Sequence, residues 1–112
     1  MTIVPHQSAC YRCVFGAAPP PNVVPTCSQA GILGAVAGML GTIQAAEALK
    51  YLIGTGLPLT NALLTFDAKE MNFRKIQLKR NPQCAICGES PTITALVDGE
   101  QAVCDLHSKG KG

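Results

Sequence analysis

Tryptophan is absent from this 112-residue chain, aromatic residues make up only 4% of it, and charged residues only 14%. Without large rings, a core has to be assembled from Leu, Ile, Val and Ala. An ordinary globular domain carries about 25% charged residues, so this deficit predicts that part of the surface is normally covered. Apolar residues at 47% exclude a disordered tail, and the length suits one domain or one piece of a larger one. A formal net charge of +2 is too small to imply nucleic acid or an anionic membrane surface as partner. The opening "MTIVPH" has neither a basic stretch nor a long apolar run, so no signal peptide is read, and a cytoplasmic, reducing compartment is expected.

What is present is cysteine, six residues in all, four of them in two CxxC pairs: Cys10 with Cys13 in "SACYRC", and Cys84 with Cys87 in "QCAICG". In a reducing compartment such pairs serve as metal ligands or redox centres more often than as structural disulfides. Thioredoxin-like chemistry needs only one pair, at the start of a helix, and neither pair opens an obvious helix. Tetrahedral zinc takes four soft donors at about 2.3 Å, and two residues between thiolates let one tight turn supply two of them. Pro82 before Cys84 and Gly88 after Cys87 suit such a turn. The wide gap between the pairs would make the metal a structural clamp between distant segments. Four thiolates with Zn²⁺ carry −4 + 2 = −2, which takes the formal charge from +2 to about 0 and leaves no open position for catalysis.

Between the pairs, "MTIV" and "CVF" read as short strand pieces and "GAAPPPNVVP" as an extended Pro-rich loop. No residue from Ala30 to Ala46 is charged, a length marginal for a membrane span, and Gly34 and Gly38 form a GxxxG spacing. Glu47 and Lys50 follow, and Ala45, Ala48, Leu49 and Leu52 share one side, which favours a buried soluble helix from Gly31 to Ile53, ended by Gly54 and Gly56. "NALLTFD" and "NFRKIQLKR" flank "AKE" as a β-hairpin. Phe73 and Ile76 fall on opposite faces there, which predicts a bulge or strong twist between them. Arg74, Lys75, Lys79 and Arg80 read as a solvated face of that hairpin rather than a nucleic-acid surface. A second small hairpin is expected around Asp98 and Gly99.

Thr26 and Gln29 have the spacing of a capping box, which puts Cys27 in the first turn of a helix, where unpaired N–H groups stabilise a thiolate. A small buried cysteine is the competing reading. Cys104 and His107 have a CxxH spacing, but four better metal ligands are already present. His6 and His107 have no evident partner and read as surface residues.

The ordered series "CYRCVF", "PPPNVVPTCSQAGILGAVAGMLGTIQAAEALKYLIGTGLPL", "LLTFDAKEMNFRKIQLKRNPQCAICG" and "PTITALVD" resembles the C-terminal part of the ThiF/MoeB/HesA family, the bacterial adenylyltransferases related to ubiquitin-activating enzymes. The resemblance runs from about Cys10 to Asp98. It implies an α/β fold, the C-terminal fragment of a Rossmann-like activating enzyme with a long Gly-rich helix, an antiparallel hairpin and a four-cysteine zinc clamp. Residues 1–104 would form that subdomain and 105–112 a flexible tail. It implies one structural zinc on Cys10, Cys13, Cys84 and Cys87. Cys27 matches the crossover-loop cysteine that in some members bonds covalently to an activated carrier or its sulfur, so it is the candidate catalytic residue.

The family uses ATP to adenylate the C-terminal glycine of a ubiquitin-like sulfur-carrier protein, for thiamin or molybdopterin synthesis. AMP turns a poor electrophile, the carboxylate, into a good one that a thiolate can capture. No Gly-rich nucleotide loop stands in this sequence, and the residues that hold ATP and Mg²⁺ belong to the family's N-terminal half. The expectation is therefore a zinc-binding portion that is inactive alone, with a sulfur-carrier protein and a second copy of the chain as partners, and neither nucleic acid nor membrane. A stand-alone, non-catalytic zinc module that dimerises through its apolar helix is the alternative.

Overall fold

The computed structural model describes residues 1–20, 23–25 and 30–96. The capping box, Cys27, the hairpin around Asp98, Cys104, His107 and the tail lie outside the described residues. In chain order, the elements are a single helical turn α1 (Tyr11–Val14), a 20-residue helix α2 (Gly34–Ile53), and two strands, β1 (Ala62–Asp67) and β2 (Asn72–Gln77). The chain is thus α/β in character.

The strands pair antiparallel in an unbroken register from Ala62 opposite Gln77 to Asp67 opposite Asn72. Thr65, Phe66, Phe73 and Ile76 are good strand formers, and Phe66 packs across on Phe73 with ring centroids 4.5 Å apart. The turn is local chemistry. Asp67 Oδ1 accepts from the backbone N–H of Lys69 at 2.9 Å and of Glu70 at 3.3 Å, the Asx pattern that favours reversal. Of the bulge or strong twist expected between Phe73 and Ile76, the unbroken register leaves no bulge. Phe73 stays 46% and Ile76 40% exposed.

Three further expectations are corrected. "CVF" is not a strand: Cys13 and Val14 belong to α1, because the CxxC turn winds Cys13 N–H back to the Cys10 carbonyl at 3.1 Å. "MTIV" contributes only one parallel bridge, Thr2 to Thr60. Helix α2 begins at Gly34 rather than Gly31, since Gly31 adopts φ 72°, outside the helical region. Its end is as the glycines suggest: Gly54, at φ 71° and ψ 32°, turns left-handed and donates its N–H to the Lys50 carbonyl at 3.0 Å.

No residue of α2 is buried. The half-buried positions are Val36, Met39, Ile43, Glu47 and Lys50, while Leu49 and Leu52, expected to face a core, are 56% and 78% exposed. What ties the helix down is polar. Glu47 Oε2 accepts from Thr2 Oγ1 at 2.8 Å and from Leu59 N–H at 2.6 Å, and Glu47 also pairs with Lys50. The helix, the first residues and the segment entering β1 meet at this one carboxylate. Among the described residues, no helix is long and apolar enough to cross a membrane.

Candidate metal centre

The buried residues among those described are Ser8, Ala9, Cys10, Ala62, Cys84 and Cys87. The core of the chain is therefore centred on cysteine. Two turns bring the sulfurs together. In the first, Cys10 precedes α1 with extended backbone, and the helical turn puts Cys13 on the same side. In the second, Cys84 N–H bonds the Asn81 carbonyl at 3.0 Å, Gly88 N–H the Cys84 carbonyl at 2.9 Å, and Glu89 N–H the Pro82 carbonyl at 2.8 Å. Gly88 has to be glycine: a Cβ there would lie 2.5 Å from the carbonyl oxygens of both Cys84 and Pro82.

Asn61 locks the first turn to the hairpin. Its side-chain oxygen accepts from Ala9 N–H at 2.8 Å, and its carbonyl accepts from Leu78 N–H at 2.8 Å. It does so at φ 52°, a left-handed conformation that Asn tolerates better than most residues. Ser8 steadies the approach by accepting from Val4 N–H at 2.8 Å.

The four sulfurs of Cys10, Cys13, Cys84 and Cys87 lie within 4.8 Å of one another. Cys10 and Cys13 are 3.8 Å apart, Cys10 and Cys84 3.6 Å, and Cys13 and Cys87 3.4 Å. Disulfide sulfurs bond at about 2.05 Å, so these are free thiols. A tetrahedron of sulfurs around zinc at about 2.3 Å has edges of about 3.8 Å. The observed spacing is close to that edge, and the four residues could hold a metal ion.

The electrostatics point the same way. Backbone N–H groups of Cys87 and Ile86 stabilise the Cys84 thiolate and hold its pKa to about 6. Burial pushes Cys87 up to about 12, since four thiolates in one pocket cannot all ionise without a cation. Burial raises Cys13, but the Asn81 N–H, 3.4 Å from its sulfur, together with hydrogen bonds from the Cys10 backbone and the Cys87 thiol outweighs that and lowers it. The thiols thus differ in how readily they ionise, and a divalent cation would offset the charge of all four.

Two polar residues that hold this arrangement carry no motif, Asn61 and Arg80, and neither does Glu47, which ties α2 to the segment entering β1. Arg80, grouped by sequence with the solvated basic residues, instead donates Nη2–H to the Cys87 carbonyl. A charged residue ending a run of uncharged helix, and an Asn or Arg beside a knuckle, are the signals that mark them. His6 is exposed at φ 62°.

The profile of the ThiF family matches residues 1–86. The sulfur carrier protein adenylyltransferase of Thermus thermophilus is 48% identical over 106 residues, covering 95% of this chain and 39% of that protein. The adenylyltransferase and sulfurtransferase MOCS3 of Mus musculus is 46% identical over 113 residues, 99% of this chain and 24% of that protein. Its counterpart in Sus scrofa is 51% identical over 92 residues, 81% of this chain and 20% of that protein. The chain thus spans about two fifths of the bacterial relative and about a quarter of the mouse one.

Proposed function

The chain belongs to the ThiF family, and from that premise we propose that it is the zinc-bearing C-terminal portion of an enzyme that adenylates the C-terminal glycine of a ubiquitin-like sulfur-carrier protein. The observation that carries this reading is the four-sulfur cluster, joined to the likeness to adenylyltransferases along nearly the whole chain. Cys10, Cys13, Cys84 and Cys87 would hold one structural zinc, and ATP with Mg²⁺ would bind the portion of the parent enzyme that precedes these residues in its relatives. Four thiolate ligands leave zinc no open position, so its work is to pin the two turns together, not to activate water.

The long stretch of uncovered apolar surface on α2 supports a second part of this reading. Val36 and Ile43 are half-buried while Leu49, Leu52 and Ile53 are exposed, so the nucleotide-binding portion of a Rossmann-like parent and a second subunit would cover the helix. Cys27 is the candidate catalytic residue, the thiolate that captures the activated carrier or its sulfur; at neutral pH an alkylating agent should label it before the zinc-bound cysteines. Labelling at the same rate or slower would make Cys27 a structural cysteine. The cytoplasm and the thiamin or molybdopterin pathways are the setting this function implies.

A chimera tests the reading. This chain should replace the matching segment of the Thermus thermophilus adenylyltransferase with retention of carrier-dependent ATP–pyrophosphate exchange, while the isolated chain shows none. A chimera that folds and binds ATP but does not exchange would contradict it. The stand-alone zinc module would then be the better account.

A further inference from the structure

Arg80 donates to the backbone of a cysteine ligand, and it is the least expected cation to do so. It leaves β2 at the base of the hairpin, two residues before Pro82, where its basic neighbours Arg74, Lys75 and Lys79 are exposed. Arg80 itself is half-buried, with Nη2–H on the Cys87 carbonyl and a buried Nε–H that has no hydrogen-bond partner among the described residues. The next residue, Asn81, donates its N–H to Cys13 Sγ at 3.4 Å and its carbonyl caps Cys84 N–H. The Arg80–Asn81 segment therefore touches both cysteine pairs, Arg80 at Cys87 and Asn81 at Cys13. A guanidinium is charged at any relevant pH, and withdrawing it from water while leaving an N–H unmet is unfavourable. The compensation has to come from negative charge close by, and four thiolates with Zn²⁺ carry a net −2 beside it.

We propose that Arg80 is a positioning residue of the metal centre: its fixed charge, held on the Cys87 carbonyl, offsets the anionic four-thiolate site and raises its affinity for zinc. This rests on the zinc reading above. Arg12 is the internal comparison, because it also lies beside a ligand but turns its Nη1–H away, to the Gly16 carbonyl at 3.3 Å.

The test is a zinc competition titration against a chromophoric chelator on the full chain, at low and high salt. Outer-shell groups of metal sites are typically worth about 10- to 100-fold in affinity. Arg80→Gln should lose about that much at low salt, the difference from wild type should shrink at high salt, and Arg12→Gln should match wild type. Arg80→Lys, which keeps the charge, should stay within about fivefold. Wild-type affinity in Arg80→Gln, or an equal loss in Arg12→Gln, overturns the proposal. Should Arg80→Gln fail to fold, Arg80→Lys decides alone, a loss beyond that margin removing charge as the cause. Zinc bound by wild type with no effect of Arg80 sinks only this inference, whereas no zinc on wild type sinks the metal reading with it.

Discussion

Around the four cysteines, short backbone hydrogen bonds close both turns and three of the four thiols are buried, whereas none of the twenty residues of α2 is buried. The first region is small, polar in its bonding and complete. The second is long, apolar and tethered chiefly through one carboxylate. On the reading proposed above, the cysteine turns depend on a cation that their four thiols could hold, while the helix depends on surface from outside the described residues. At roughly 25 cal/mol per Å² of apolar surface, covering a few hundred Å² of α2 would contribute several kcal/mol to such an assembly.

If the cysteine region stands on its metal, one ligand should decide it. Replacing Cys84 with Ser is expected to give the largest effect, with zinc lost and stability lowered by about 5 kcal/mol or more, read by circular dichroism and thermal melting. A variant that melts like wild type would show that the thiols pack without metal. Gly88→Ala comes next. Its Cβ would meet two backbone carbonyl oxygens at 2.5 Å, so a loss of about 3 kcal/mol is expected, with faster zinc release.

The tether of the helix is weaker and depends on pH. Burial raises the pKa of Glu47, but Lys50, the Leu59 N–H and Thr2 outweigh it and bring the pKa from 4.5 to about 2. The folded value lies below the unfolded one, so the stabilisation is fully present above about pH 4.5 and is lost as pH falls toward 2. With the side chain 15% exposed, this contributes about 1–2 kcal/mol after screening. Glu47→Gln should remove that amount at neutral pH and flatten the acid side of the stability curve. An unchanged curve would mean that the helix is held by something else.

The smallest effect is expected at Gly38, where a Cβ would meet nothing within 4 Å. Gly38→Ala should stabilise the isolated chain by up to about 1 kcal/mol through helix propensity. A loss instead would reveal a close backbone neighbour and shift the helix out of the uncovered class.

The same contrast explains what could be read from the sequence. The two CxxC pairs were legible because a metal-ligand turn is specified by adjacent residues, and so was the hairpin, whose two strand-forming runs flank a local Asx turn. Gly54 marked the helix end for the same reason. The exposure of α2 was not legible. Ala45, Ala48, Leu49 and Leu52 share one side as a core face would, yet Leu49 and Leu52 are exposed among the described residues. Nor were Glu47, Asn61 and Arg80, whose roles arise from contacts 12, 52 and 7 residues away in sequence. The strand expected at "CVF" failed because β-propensity is overridden when Cys13 must turn back toward Cys10.

The central claim, that metal binding by the four cysteines organises this chain, is tested most directly by native mass spectrometry combined with thiol alkylation before and after a strong chelator. One zinc per chain is expected, with Cys10, Cys13, Cys84 and Cys87 protected from alkylation until the chelator removes it. A metal-free chain whose four thiols alkylate at the same rate with and without chelator, or that carries them as two disulfides, would contradict it.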